Sequence, residues 1–247
     1  QLATITALWL ASVGNIALWD SLFALPEVSG LRGALFLVGF GAFIAAILTA
    51  LLALLAWPVM LKPIGIFGLL SAASATHFML AYSVVIDSSM LLNVLHTDVK
   101  EASDLMSIRF FVIMLAVGIV PAWWLWKRPV ESLPEMHWTK RLIQNLTTFA
   151  VALLIAALAL FLIFQDFASI MRNHKEVRYR INPLNSLYAV GRIVSDAIPR
   201  AQQPLQTIGT DARLGPTYAN QHRPPLLILV VGETARAANF SLGGYHR

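Results

Sequence analysis

Two short stretches hold side chains that could do chemistry. The first is VVGETARAANFSLGGYHR, Val230–Arg247, which follows the apolar run Leu226–Val231. Glu233 stands just past that run and offers carboxylate oxygens of the kind zinc accepts. Thr234 is a possible nucleophile or helix cap, and Arg236 could contact a phosphate. Alone, the three residues also fit a capped helix after a strand, with Glu233 paired to a neighbouring arginine. The second stretch is MLLNVLHTDVKEASDL, Met90–Leu105. Asn93, Thr97 and Glu101 are spaced four residues apart, which stacks them on one face of a helix. Asp87 or Ser88 is placed to cap its start. An amide, a hydroxyl and a carboxylate in one row suit a zwitterionic headgroup. The carboxylate would hold the ammonium, and the other two would donate to phosphate oxygens. The plainer alternative is a row of polar residues facing water.

The elements that position these stretches follow from composition. Hydrophobic residues make up 57% of the 247 and charged ones 13%, about half the share in a soluble domain, and mean hydropathy is +0.68. This is a membrane protein. Between Leu2 and Gln165 every Asp, Glu, Lys and Arg falls in one of four short gaps. The uncharged stretches between them, Leu2–Trp19, Gly33–Leu61, Ile64–Ile86, Phe110–Trp126 and Leu142–Phe164, each approach the roughly 20 residues that cross a bilayer. Tryptophans 19, 57, 123, 124 and 126 sit at span ends as interfacial anchors. Five transmembrane helices are expected. The first begins at Gln1 with no Met and no basic flank, which reads as a missing start and not as a signal peptide.

Lys127, Arg128, Lys140 and Arg141 place the gap at 127–141 in the cytoplasm. The gap at 87–109, with four acids and two bases, suits the opposite side. The segment after the fifth span then emerges outside, in the periplasm of a bacterium. Arg172, Lys175, Arg178 and Arg180 pull the other way, unless they meet anionic headgroups. A pI near 9.8 points to anionic lipid surfaces, and no basic-aromatic nucleic-acid module is visible. The absence of cysteine excludes disulfides from this portion. His77 lies mid-span among Ser and Thr and is expected to hydrogen-bond a neighbouring helix, while the other five histidines show no metal-ligand spacing.

Four regions result: a five-helix membrane domain at 1–167, an amphipathic region at 168–198, a linker at 199–225 and the start of a further domain at 226–247. In the second, Asn182 would cap a helix with Pro183 at its first position, and Leu184, Leu187, Tyr188, Ile193 and Val194 recur at helical spacing. That helix reads as lying on the membrane surface, or else as packed on a soluble domain. The linker is rich in proline. Leu226–Val231 reads as a strand buried on both faces, beyond whose carboxyl end an α/β enzyme keeps its ligands. One strand makes no sheet, so the chain reads as the front portion of a larger enzyme.

Taken together, strand, GETARA and NFSLGGY resemble the start of the periplasmic catalytic domain of the lipid A phosphoethanolamine transferases, the family that includes the mobile colistin-resistance enzymes. MLLNVLHTDVKEASDL resembles that family's periplasmic loop helix, and RNHKEVRYRINPLNSLYAVGRI its bridging helix. The resemblance covers essentially the whole chain. It implies an α/β, alkaline phosphatase/sulfatase-like catalytic domain that begins at residue 226, on a protein of the bacterial inner membrane. It makes Glu233 a zinc ligand, so that Thr234 is not the nucleophile. It also implicates Asn93, Thr97 and Glu101 in binding phosphatidylethanolamine. The nucleophilic threonine and remaining zinc ligands are expected downstream of Arg247, which would leave this portion inactive alone. The implied reaction moves phosphoethanolamine from phosphatidylethanolamine to a lipid A phosphate through a phosphothreonine. An inner-core sugar or a periplasmic glucan is an alternative acceptor. A lipoteichoic acid synthase-like phosphoglycerol transferase also has five spans, but GETARAANFSLGGY and the loop-helix row argue against it. A lipid-binding membrane module without catalysis is the reading from another class.

Overall fold

The computed structural model describes residues 1–97, 100, 105–129, 138–198, 209–213, 215, 228 and 240. Among them, five helices are long and apolar enough to cross a membrane: α1 (Leu2–Phe23), α2 (Gly30–Leu54), α3 (Leu61–Tyr82), α5 (Ile108–Lys127) and α6 (Trp138–Asn173). A short helix, α4 (Ser88–His96), lies between α3 and α5. A single turn, α7 (Lys175–Arg178), and the amphipathic α8 (Leu184–Ala197) follow α6. The chain divides into units at 1–199 and 200–247. The strand expected at Leu226–Val231 lies outside the described residues but for Ile228, which is exposed and in irregular chain.

Within the first unit α2 packs along α6 and α1, α3 packs against α5, and α1 joins the two groups by also touching α3. Small residues let the backbones close, as bundles in lipid require. A Cβ on Gly39 of α2 would collide with Ile163 of α6, and one on Gly118 of α5 would lie 2.9 Å from the Ala73 Cβ of α3. Phe36 and Phe40 stack at 5.5 Å, and Phe167 closes on Phe40 at 5.9 Å, so the α2–α6 seam is aromatic where it is not small.

Span boundaries differ from expectation by several residues, in two places for a local reason. Lys62 and Pro63, read as a break, sit in the first turn of α3, where proline loses no intrahelical bond. The last span continues nine residues past Phe164, because Asp166 is ion-paired with Arg32 of α2 at 2.7 Å and does not end the helix. At 36 residues α6 is about 54 Å long, well beyond a hydrocarbon core of roughly 30 Å.

Two helices are irregular inside the bundle, and the freed backbone groups are accounted for. Lipid offers no water to satisfy them. In α5 a π-helical stretch, Met114–Ile119, precedes Pro121. Pro121 has no N–H for the carbonyl of Val117 four residues back, and the Trp9 indole N–H of α1 donates to that carbonyl at 3.1 Å. In α1 a 3₁₀ turn at Val13–Asn15 interrupts the ladder. The Trp19 indole donates to the Ala11 carbonyl at 3.0 Å, the Asn15 amide to that of Leu10 at 2.7 Å, and the Thr76 hydroxyl of α3 to that of Gly14 at 2.9 Å.

Candidate functional site

The α4 end of the bundle is built from residues 24–29, 83–97 and 174–198. Asp87 caps α4 as expected, its carboxylate accepting from the Met90 N–H at 2.8 Å and the Ser89 hydroxyl at 2.7 Å. These donors, the Met90 amide first, hold the Asp87 carboxyl below its ordinary range. Of the row expected on α4, Asn93 and Thr97 are among the described residues and Glu101 is not. The helix stops at His96, and Thr97 turns extended at φ −67°, ψ 130°. Asn93 is exposed, and its carbonyl accepts from both the Thr97 hydroxyl at 2.7 Å and the Thr97 N–H at 2.8 Å. The structure therefore brings Asn93 and Thr97 together, with the hydroxyl proton of Thr97 committed to backbone. Toward a ligand Thr97 presents oxygen lone pairs unless that bond opens. Glu101 and Glu233 lie outside the described residues, as do Thr234 and Arg236.

α8 packs on α4. It begins at Leu184, one residue later than expected, and Asn182 does not cap it. Asn182 is instead fully buried and inserted into the bundle. Its side-chain amide donates to the Gly14 carbonyl and the Thr76 hydroxyl, each at 3.2 Å. Its backbone exchanges two bonds with the side chain of Asn15, N–H to Oδ1 and Nδ2 to carbonyl, both 2.8 Å. The segment entering α8 is thus pinned to the break in α1 and to α3. Reading the spans by charge alone missed this cluster; its signal was an asparagine, Asn15, inside an otherwise apolar stretch. Asn185 and Ala189 of α8 face inward, while Leu187, Tyr188, Val190 and Val194 are exposed, so an apolar stripe points away from the bundle.

Charged residues gather nearby. The Arg32–Asp166 pair adjoins Glu27, and His174 stands 3.3 Å from Glu27 and 3.5 Å from Glu176. A backbone N–H, with His174 second, depresses the Glu27 carboxyl. Glu27, Arg32 and Asp166 line a small cavity of about 230 Å³ with Phe36, Ser169 and Ile170. His77, expected to bond a neighbouring helix, has neither ring nitrogen paired among the described residues. It is buried edge-on against Phe78, Tyr82 and Phe110, with ring centroids 5.2–6.1 Å apart. Among the described residues no three His, Asp or Glu side chains converge in a way that could hold a metal.

A sequence profile of the family described as phosphoethanolamine transferase EptA/EptB matches residues 44–198, from within α2 through α8. The chain belongs to this family. It is 33% identical over 245 residues to phosphatidylethanolamine transferase Mcr-2 of Escherichia coli, with 98% of the chain and 44% of the relative covered. To phosphoethanolamine transferase EptA of Escherichia coli K12 it is 29% identical over 246 residues, with the same coverage. The solved integral membrane lipooligosaccharide phosphoethanolamine transferase A (EptA) from Neisseria meningitidis superposes with a TM-score of 0.79 at 27% identity, over 100% of this chain and 45% of that one. The chain thus spans less than half the length of these EptA/EptB-family relatives. Its five spans form the membrane bundle of such a protein.

Proposed function

We propose that the complete protein transfers phosphoethanolamine from phosphatidylethanolamine to a lipid A phosphate in the bacterial inner membrane. Family membership carries this reading, and the architecture supports it. α4, with Asn93 on it and Thr97 just past its end, packs against α8, whose exposed apolar stripe suits a helix lying at a lipid surface. Both substrates are lipids, so a site held at headgroup height by α4 and α8 avoids extracting either from its leaflet.

In this reading the α4 end faces the periplasm and presents the donor headgroup. Glu101 holds the ethanolamine ammonium, Asn93 donates to the phosphate, and Thr97 joins it once its hydroxyl leaves the Asn93 carbonyl. Glu233 would be one ligand of a zinc ion, which would supply activation of a hydroxyl nucleophile and charge stabilisation at phosphoryl oxygens. The reaction is a double displacement. A threonine oxygen forms a bond to phosphorus, the ester bond to glycerol breaks, and diacylglycerol leaves with the proton. A lipid A phosphate oxygen then attacks the same phosphorus and frees the threonine. The product carries an added ammonium, which lowers the negative charge that attracts cationic peptides such as colistin.

Mass spectrometry of lipid A from cells expressing the complete protein tests the reading, with Glu233→Gln beside it. The expected result is a phosphoethanolamine addition with the parent and none with the variant. Unmodified lipid A with the parent would overturn the acceptor; full modification by Glu233→Gln would overturn the ligand.

A further inference from the structure

A second, larger cavity lies at the opposite end of the bundle, away from α4 and α8. It measures about 600 Å³ and opens between α1, the end of α2, the end of α5 and the start of α6. That volume falls within the range of small-molecule sites, about 300–1,000 Å³. Its polar lining is Arg128, then Arg141, Gln144, Asn145 and Thr148 of α6, with Gln1 and Thr4 at the start of the chain. The four α6 residues fall at i, i+3, i+4 and i+7, so they descend one helical face from a guanidinium through two amides to a hydroxyl. Opposite them Ile5, Ala53, Leu61 and Trp124 supply apolar surface. The cavity therefore grades from charged to polar with an apolar wall beside it, as a glycerophospholipid does.

Two features fix the basic groups. The Arg128 guanidinium lies 4.9 Å from the ring centroid of Trp124, which holds it against the rim. The Nε of Arg141 donates to the Ala56 carbonyl at 3.2 Å, and the Asn145 amide to the same oxygen at 3.4 Å, which ties α6 to the end of α2. Lys62, Lys127, Arg128, Lys140 and Arg141 gather at this end. Basic residues at a span end are also what orients a membrane protein. Orientation, however, needs only charge; it does not need a cavity or a ladder of hydrogen-bond donors descending into it.

We propose that this cavity binds the phosphate of an anionic glycerophospholipid from the leaflet opposite α4 and α8. Arg128 and Arg141 take the phosphate oxygens, Gln144 and Asn145 take the glycerol and ester oxygens, Thr148, whose hydroxyl donates to the Gln144 carbonyl at 2.9 Å, bounds the site, and the acyl chains leave along the apolar wall. Arginine suits the role because its planar fork stays charged and matches phosphate. The site is independent of the transferase reading, since it asks only that the bundle stand in a bilayer.

Native mass spectrometry of the full chain in detergent tests it, with phosphatidylglycerol and phosphatidylcholine of identical acyl chains as probes and inorganic phosphate as competitor. The expected result is one retained phosphatidylglycerol, favoured over phosphatidylcholine by at least about fivefold, the effect of one basic contact near a membrane surface. Arg128→Gln should weaken retention by about the same factor. Thr148→Phe, which fills the deep end without changing charge, should abolish it. Both variants should keep the helical circular dichroism of the parent. Equal retention of the two lipids, or unchanged retention in both variants, would overturn the site. Displacement by excess inorganic phosphate would overturn the lipid as its occupant.

Discussion

Asn15 is the residue whose loss the bundle should feel most for its size. Asn15→Leu keeps approximate volume and removes three hydrogen bonds at once: amide to the Leu10 carbonyl at 2.7 Å, amide to the Asn182 carbonyl at 2.8 Å, and the Asn182 N–H to its Oδ1 at 2.8 Å. All lie in the fully buried cluster that also holds Thr76. An interhelical hydrogen bond in lipid is worth about 0.6 kcal/mol on average and at most about 1.7. Orphaned buried groups push toward the upper figure, because nothing replaces their partner. The expected loss is about 2–5 kcal/mol, read as a shift in the SDS-unfolding midpoint of the chain in mild detergent. Asn15→Asp separates the contributions. It keeps the acceptor for the Asn182 N–H but turns a carboxylate oxygen on the Leu10 and Asn182 carbonyls, so it should be at least as damaging as Asn15→Leu. A double-mutant cycle with Thr76→Val should show coupling, since both side chains hold Asn182. An unfolding midpoint within error of the parent for Asn15→Leu would refute the cluster as the tie between α1 and the entry to α8.

Two further perturbations test other parts of the fold. Gly118→Ala puts a methyl 2.9 Å from the Ala73 Cβ, which cannot rotate aside, so α3 and α5 must part; a cost of about 1–3 kcal/mol is expected in the same unfolding assay, whereas Gly191→Ala in α8, with open space around it, should leave the chain as stable or slightly more so. Asp87 has a depressed folded pKa, so its cap contributes stability above the unfolded carboxylate value and loses it as pH falls through the folded value. Amide exchange of Met90 and Leu91, corrected for the intrinsic rate, should therefore quicken on acidification through that window. In Asp87→Asn, which keeps a neutral cap, it should be flat; an equally steep change there would show that the carboxylate is not responsible.

How far the fold could be read from sequence depended on which residues announce themselves. Charge gaps located all five spans, because an ion in hydrocarbon is costly enough to be nearly excluded. The same criterion misplaced the end of α6, since Asp166 finds Arg32 134 positions earlier in the chain and no local pattern records that partner. Asp87 was legible as a cap because its partners lie within three residues. Asn182 was not, although Asn-Pro is a local helix-start signal, because Asn15 and Thr76 compete for its backbone and amide from far away. On α4, regular spacing predicted a row through Glu101, but spacing alone cannot say where a helix stops, and Thr97 leaves it.

The asparagine cluster also shows how α8 can be both amphipathic and fixed. A helix whose exposed stripe is Leu187, Tyr188, Val190 and Val194 could sink to any depth that suits those side chains. Two backbone bonds from Asn182 to one side chain in α1 remove that freedom at the entry to the helix. Packing on α4 restrains it along its length. The helix therefore stands at a height set by the transmembrane bundle and not by lipid alone.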